Sequence, residues 1–201
     1  MKPFIIAVAG GSGSGKSTFV SNLLESLDVE ALVVPIDDYY RDQGHLSHEE
    51  RARINFDDPD TIEQELLAEH VGLLKQGKPI NKPEYDFATH TRVGSAPLAP
   101  KPVIIVEGIF SLCNESLLPD FDLRLYVETD ADLRLARRIS RDMKERGREV
   151  EGIVEQYVAT VKPMHEAYIR PSKFQADLIV PWKNMNHRAV MMVKKMIESP
   201  R

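Results

Sequence analysis

The chain has 201 residues, of which 42% are hydrophobic and 28% charged, and its formal net charge is −5. These values indicate one soluble globular domain with an ample core, and the acidic balance argues against a nucleic-acid polymer as partner, because phosphate backbones bind basic surfaces. No stretch approaches the ~20 apolar residues of a membrane span, and the opening apolar run is too short for a signal peptide. The lone cysteine, Cys113, suits a reducing compartment. We therefore expect a cytoplasmic protein that binds no membrane.

The first predicted elements surround a glycine-rich loop. Residues 4–9 are apolar and rich in β-branched side chains, as in a buried parallel strand, and residues 18–27 carry apolar side chains at helical spacing. The intervening stretch GGSGSGKS matches the P-loop pattern G-x-x-x-x-G-K-[ST]. Backbone N–H groups and the end of the following helix form an anion site in such a loop, which predicts a nucleoside triphosphate bound with Mg²⁺. The candidate triphosphate-binding residues are Gly10, Gly11, Ser12, Gly13, Ser14, Gly15, Lys16, Ser17 and Thr18.

The second predicted strand, at residues 31–35, is followed by two acidic residues, Asp37 and Asp38. One of these carboxylates can point at the γ-phosphate, where it would take a proton from an acceptor hydroxyl or bind the metal ion. A pair of ordinary turn aspartates is the alternative.

Two helices and a proline-rich excursion come next. A short helix is expected at residues 47–53, and apolar spacing predicts a longer one at residues 61–75 with Asp60 as its N-cap. Residues 78–102 alternate prolines with short β-leaning pieces. Because proline suits the edges of sheets, this texture predicts a small β-rich excursion over the main sheet.

Glu107 ends the clearest buried strand, predicted at residues 103–106, and a further strand is expected at residues 123–127. Open α/β sheets bind ligands at the carboxyl ends of their strands, so Glu107 is placed to hold Mg²⁺ directly or through water. A helix-capping or surface glutamate is the weaker interpretation.

The helix predicted from residue 131 to about residue 146, and ended by Gly147, is rich in arginine. Its arginines and the two near its end are Arg134, Arg137, Arg138, Arg141, Arg146 and Arg148. A solvated basic face is one interpretation. The other is a mobile lid that neutralises a transferring phosphoryl group, and six arginines in an acidic protein favour it for at least two of them.

The last predicted elements complete an alternating pattern. A helix at residues 150–162 is expected to break at Pro163, and it is followed by a strand at residues 177–181 and a helix at residues 186–198. A core-facing stripe on that last helix is expected at Met191, Met192 and Met196. Strands that alternate with helices predict a parallel α/β sheet with right-handed crossovers.

Taken in order, several blocks resemble the uridine kinase (uridine-cytidine kinase) family of P-loop nucleoside kinases over nearly the whole chain. Besides the P-loop they include DDYYR at residues 37–41, NFDDPD at 55–60, PEYDF at 83–87 with His90 and Arg92, VEGI at 106–109, RRISRD at 137–142 and ERGR at 145–148. The resemblance implies a P-loop NTPase fold, with a five-stranded parallel sheet flanked by helices, a small β-hairpin insertion and an arginine-rich helical lid. It also implies a single domain over residues 1–201, with the insertion at about 78–100 and the lid at about 130–165, assembled as a homo-oligomer, either a tetramer or a dimer.

The resemblance further implies roles at matched positions. The reaction would be carried by Asp37, as general base, Mg²⁺ partner or both, with Lys16 and Arg141. Arg141 and Arg146 would reach the ATP phosphates, and the metal ion would be held by Ser17, Asp37 and Glu107. Asp57 and Arg138 would hold the ribose hydroxyls. The remaining nucleoside contacts would come from Tyr85, Phe87, His90, Ile109, Arg148 and Gln156. The chain departs from the family pattern at Asp38, where serine is common, and at Asp58, where histidine often stands.

The expected reaction is transfer of the γ-phosphoryl group of ATP, with GTP as a second donor, to the 5′-hydroxyl of uridine or cytidine. Alternative acceptors are other small hydroxyl compounds, namely pantothenate, ribulose 5-phosphate or nicotinamide riboside. A GTPase-type switch or a partner-driving ATPase is the alternative from another class. A switch would require an Asn-Lys-x-Asp guanine reader, and the nearest string, NKPE at residues 81–84, lacks the aspartate.

Overall fold

A computed structural model describes residues 2–199 of the chain. The strands are β1 (Phe4–Ala9), β2 (Ala31–Pro35), β3 (Ile80–Asp86), β4 (Thr91–Leu98), β5 (Val103–Glu107), β6 (Leu123–Glu128) and β7 (Leu178–Pro181). Five of them form a parallel sheet in the order β2-β5-β1-β6-β7, and β3 and β4 form a separate antiparallel hairpin. The predicted α/β fold with a five-stranded parallel sheet and a β-hairpin insertion is confirmed.

Six helices cover the sheet and its ends. They are α1 (Lys16–Ser26), α2 (His48–Ala52), α3 (Gln64–Lys75), α4 (Ala131–Arg146), α5 over residues 150–172, and α6 (His187–Glu198). Short 3₁₀ turns occupy Ile36–Tyr39, Pro59–Thr61, Leu118–Asp120 and Lys173–Gln175. Within residues 2–199, none of the helices is both long enough and apolar enough to cross a bilayer.

The core lies on both faces of the sheet, because side chains alternate along each strand. On β5, Ile104 and Val106 join the cluster that includes α3 and the hairpin, whereas Val103 and Ile105 join the cluster under α1 and α6. Both clusters are fully buried at their centres. At roughly 1.5–3 kcal/mol for each buried aliphatic or aromatic side chain, this burial holds the strand ends in a fixed arrangement.

Three local predictions were wrong, each for a physical reason. The predicted helix at residues 61–75 starts at Gln64, because Asp58 caps a 3₁₀ turn at Pro59–Thr61 and Ile62 forms an isolated β-bridge with Tyr40. The helix expected to break at Pro163 continues. Its α-helical pieces Val150–Gln156, Lys162–Met164 and Arg170–Ser172 are joined by π-helical turns at Tyr157–Val161 and His165–Ile169. Proline has no backbone N–H to donate to the carbonyl four residues earlier. The π turns just before Pro163 and Pro171 replace the regular i→i−4 hydrogen bonds there, and so the helix continues through both prolines.

The methionines of α6 do not face the core. Val190, Val193 and Ile197 turn toward α1 and the sheet, whereas Met191, Met192 and Met196 are 46%, 60% and 48% exposed. Because a helix advances about 100° per residue, the methionines lie roughly opposite the buried stripe.

Candidate active site

The carboxyl edge of the sheet brings three chain segments together. In the parallel register, Glu107 pairs with Val8 on one side and with Pro35 on the other. The P-loop starts two residues after Val8, and Asp37 stands two residues after Pro35. A Cβ on Gly108 would lie 2.8 Å from the Cβ of Ile36, so the chain after Glu107 passes close against the turn that carries Asp37. Lys16, Asp37 and Glu107, predicted from separate stretches, therefore face one space.

The P-loop is supported by contacts with Thr129, Arg137 and Trp182. Gly15 has a φ of 92°, and a Cβ there would lie 2.5 Å from the indole of Trp182, so both the conformation and the space require glycine. Thr129 Oγ1 donates to the Ser14 carbonyl at 2.9 Å, and Arg137 Nη1 donates to the same carbonyl at 3.2 Å. Arg137 thus supports the loop from outside the site.

Two predicted loop residues, Ser14 and Gly11, pack tightly against their surroundings, and the buried Ser14 Oγ has no hydrogen-bond partner. The side chain of Ser14 is fully buried and its backbone N–H donates to the Gly11 carbonyl at 3.0 Å. A Cβ on Gly11 would lie 2.4 Å from Nη1 of Arg134, a buried arginine that also donates to the Thr129 carbonyl and contacts His165. The exposed hydroxyls of Ser17 and Thr18, at the start of α1, remain open to a ligand.

The charges in this space are tuned by burial and by one another. Burial lowers the pKa of Lys16, and the carboxylates of Glu107 and Asp37 oppose that change. Its Nζ lies 3.4 Å from the Gly11 carbonyl. Burial and then the charge of Glu107 raise the pKa of Asp37 to about 6. A carboxyl group with this pKa is ionised at neutral pH and can accept a proton there.

The acidic pair fits a Mg²⁺ ion that shares its ligands with phosphates. Within residues 2–199, no group of three or more His, Cys, Asp or Glu side chains is placed to hold a metal ion by itself. Mg²⁺ usually takes one or two carboxylates and completes its shell with phosphate oxygens and water. Glu107 and Asp37 repel each other enough to raise the pKa of Asp37, and a cation beside them would relieve that repulsion.

An arginine cluster lies beside the loop, and it is organised by an acidic residue that the sequence analysis did not single out. The carboxylate of Asp142 is fully buried and contacts Arg138, Arg141, Arg146 and Arg148 at 3.7, 2.8, 3.9 and 3.4 Å. Arg134 and Arg137 therefore support the P-loop without contacting Asp142, whereas Arg138, Arg141 and Arg146 of α4 surround Asp142 and Arg138 also reaches the P-loop. Arg138 and Arg146 lie four residues before and after Asp142, the spacing of neighbours on one helix face, and this is the sequence signal that could have found the cluster.

A second set of polar residues lies between this cluster and α5. Arg138 Nη1 donates to Ser12 Oγ at 2.9 Å and its Nη2 to Gln156 Oε1 at 3.0 Å. Arg148 Nη1 donates to the same Gln156 oxygen at 2.7 Å. Asp57 is buried, which raises its pKa, and the positive charge of Arg138 works against that rise. Arg138 therefore links the P-loop to Gln156, which it shares with Arg148, and its charge acts on the buried Asp57.

The hairpin adds an aromatic cluster formed by Tyr40, Phe56, Tyr85, Phe87 and His90. His90 stacks on Phe56 with ring centroids 4.8 Å apart and lies at a φ of 55°. Burial raises the pKa of Tyr85 to about 12. Tyr85 Oη and His90 Nδ1 are buried without a hydrogen-bond partner, so both are available to a ligand. Ile109 packs beside the same core cluster, and the Arg146 guanidinium lies 5.8 Å from the centre of the Phe87 ring.

The two departures from the family pattern have structural partners. Asp38 pairs with Lys82 of β3, which ties the hairpin to the turn that carries Asp37. Asp58 accepts a hydrogen bond from the Asp60 N–H at 3.0 Å and so caps the following 3₁₀ turn. Arg92 reinforces the hairpin attachment through Glu63 at 2.8 Å and the Tyr40 carbonyl at 3.0 Å. The extra negative charge of Asp38 is therefore neutralised by Lys82.

Comparison with known proteins gives consistent matches over nearly the whole chain. The sequence profile of the phosphoribulokinase / uridine kinase family matches residues 5–189. A uridine kinase of Anoxybacillus flavithermus is 47% identical over 197 residues, which cover 96% of this chain and 93% of the relative. A uridine kinase of Halobacterium salinarum is 43% identical over 197 residues, with 98% and 87% covered. The structure of a phosphoribulokinase from Rhodobacter spheroides superposes with a TM-score of 0.66 at 16% identity, over 90% of this chain and 70% of that one, and so shares its fold.

Proposed function

This chain belongs to the phosphoribulokinase / uridine kinase family, and on that premise we propose that it transfers the γ-phosphoryl group of ATP to the 5′-hydroxyl of uridine or cytidine. The products are ADP and the nucleoside 5′-monophosphate. The observation that carries the proposal is the meeting of the P-loop, Asp37 and Glu107 at one sheet edge, with an aromatic cluster and an arginine cluster beside them. Its relatives named uridine kinase support the pyrimidine nucleoside as acceptor.

The P-loop and Lys16 hold the triphosphate, and most of the catalysis comes from positioning and charge neutralisation, since phosphoryl transfer has a loose transition state. Asp37 accepts the proton of the nucleoside 5′-hydroxyl. The hydroxyl oxygen bonds to the γ-phosphorus while the bond between the γ-phosphorus and the oxygen that bridges it to the β-phosphate breaks, so that ADP leaves. Arg141 and Arg146 neutralise charge on the transferring group. Mg²⁺, held by Ser17, Asp37 and Glu107, would supply further charge neutralisation at the phosphates.

On the nucleoside side, Asp57 and Arg138 hold the ribose hydroxyls, Arg148 and Gln156 close the site, and the base lies against the hairpin. Tyr85 and His90 offer polar atoms to its edge, beside Phe87 and Ile109. The lid spans residues 130–165. Arg134 and Arg137 fasten the first turns of this segment to the P-loop region, so we expect those turns to stay in place when substrates bind.

We also propose a cytoplasmic homo-oligomer, a tetramer or a dimer, that binds neither nucleic-acid polymers nor membranes. Apolar side chains that are strongly exposed in the single chain, at Val158, Phe174, Met185 and Met192, supply surface that a second copy could cover.

The test is ADP release from purified protein with ATP and Mg²⁺ against a panel of acceptors. We expect turnover with uridine and cytidine and none with pantothenate, ribulose 5-phosphate or nicotinamide riboside. A Lys16→Met variant purified in parallel sets the background from contaminating kinases. Turnover with another acceptor alone would overturn the nucleoside assignment, and hydrolysis that favours GTP and needs no acceptor would indicate a switch protein.

A further inference from the structure

Asp142 holds four arginines with a single negative charge, two on each carboxylate oxygen. Oδ1 accepts from Arg141 Nε at 2.9 Å and Nη2 at 2.8 Å, and lies 3.9 Å from Arg146 Nη1. Oδ2 lies 3.4 Å from Arg148 Nη1 and 3.7 Å from Arg138 Nε. The backbone helps to gather them: Gly147, at a φ of 61°, turns the chain so that the N–H groups of Gly147 and Arg148 both return to the Asp142 carbonyl.

The two pairs of arginines differ in their other hydrogen bonds, and Arg138 also donates to Ser12 Oγ of the P-loop at 2.9 Å. Arg138 and Arg148 share the Gln156 oxygen, and Arg138 faces Asp57, on the side that the proposed function gives to the nucleoside. Within residues 2–199, Arg141 and Arg146 have no hydrogen-bond or ion-pair partner except Asp142, and their charges act on Asp57 as well as on Lys16 and Asp37. Burial lowers the pKa of Lys16 and the charge of Arg141 lowers it further, while Arg146 opposes the rise in the pKa of Asp37 that burial and Glu107 cause.

One carboxylate cannot fully neutralise four guanidinium groups, so the two pairs compete for it. Arg138 Nε is buried without a hydrogen-bond partner and lies 3.7 Å from Oδ2, so the carboxylate holds Arg138 less closely than it holds Arg141. When triphosphate oxygens take Arg141 and Arg146, the charge of Asp142 is left to the other pair alone. At full burial, Asp142 lies where such a redistribution is only weakly screened by water.

We propose that Asp142 is a positioning residue that couples the two substrates: triphosphate binding draws Arg141 and Arg146 from its Oδ1, and Arg138 and Arg148 then settle on the carboxylate in the arrangement that grips the nucleoside. This inference rests on the proposed function. It predicts that the triphosphate tail, rather than the adenosine part, raises the affinity for the nucleoside.

The test is the uridine dissociation constant, measured by calorimetry with the full chain and Mg²⁺, alone and in the presence of saturating β,γ-imido-ATP or AMP. We expect the triphosphate analogue to tighten uridine binding at least threefold in the wild-type protein and AMP to leave it unchanged. Asp142→Asn should bring the ratio with the analogue close to one. Asp132→Asn, which removes an exposed carboxylate from the same helix, is the matched control and should keep the wild-type ratio.

Equal tightening by AMP, no tightening in the wild-type protein, or an undiminished ratio in Asp142→Asn would each overturn the coupling. The comparison of the analogue with AMP needs only the wild-type protein, so it can overturn the coupling even if Asp142→Asn does not fold. If uridine neither binds nor is phosphorylated, the proposed function fails. If it binds and turns over without the expected ratio, only the coupling fails.

Discussion

Replacing Asp37 by asparagine should produce an enzyme that is more stable and almost inactive. Burial and the charge of Glu107 raise the pKa of Asp37 from 3.8 to about 6. Because an unfolded chain would ionise this group more readily, stability falls as the pH rises from 3.8 through about 6, and the full difference corresponds to about 3 kcal/mol. Asp37 keeps some exposure to water, so we expect Asp37→Asn to stabilise the free protein by about 1–2 kcal/mol at pH 7.5.

The same substitution removes the proton acceptor. General-base catalysis contributes roughly 10²–10⁴-fold, which is about 2.7–5.4 kcal/mol of the barrier. We expect kcat to fall by that factor while the KM for ATP changes little, because Lys16 and the rest of the P-loop stay in place. A stabilisation of 1–2 kcal/mol raises Tm by about 2–8 °C for a chain of this size. Thermal unfolding and steady-state kinetics on one preparation measure both effects.

Asp38→Asn is the control at the neighbouring position. Asp38 is paired with Lys82, so its replacement should lower Tm and raise the KM for the nucleoside through a looser hairpin, with kcat kept within a few-fold. The reasoning about Asp37 is refuted if Asp37→Asn lowers Tm, or if its kcat stays within threefold of the wild-type value.

Two further substitutions test the hairpin and the buried histidine. His90→Asn keeps a residue that tolerates the positive φ but removes the ring stacked on Phe56. The preference for uridine over purine nucleosides in kcat/KM should therefore fall about 3–10-fold, while the KM for ATP is unchanged. An unaltered preference would show that His90 takes no part in base recognition. Burial lowers the pKa of His165 from 6.5 to about 4. Between these pH values the unfolded chain binds a proton at this histidine and the folded chain does not, so the free energy of unfolding decreases as the pH falls from 6.5 toward 4. In urea unfolding, His165→Gln should therefore lose about 1 kcal/mol less than the wild-type protein between pH 7.5 and pH 5.5, and equal losses would contradict this assignment.

What the sequence predicted well was decided locally. The strand and helix around Lys16 follow from their apolar patterns, and the loop between them follows from glycines at positions whose backbone conformation other residues rarely adopt. The acidic strand ends at Asp37 and Glu107 follow from the rule that parallel strands present their carboxyl ends at one edge. These features need no knowledge of which distant residues meet.

What it missed depends on partners far along the chain or on the choice between two faces. The methionines of α6 have the same spacing as a core stripe, and only packing against α1 selects Val190, Val193 and Ile197 instead. The pairing of Asp38 with Lys82 joins residues 44 positions apart. Arg148 joins the arginines around Asp142 through the turn at Gly147, and α5 continues through Pro163 because of π turns that helix propensities do not predict. The roles given to the site residues remain predictions.

The alternation along β5 also sets where this chain can change in length. Each face of the strand supplies a different core cluster, and Glu107 ends it. Deleting one residue within β5 would exchange its inward and outward side chains and carry the terminal carboxylate away from the phosphate site, whereas the exposed tip between β3 and β4 bears no such constraint. Natural or engineered insertions should accordingly be tolerated at the hairpin tip, where they would reshape the acceptor pocket and leave the phosphate-binding edge intact.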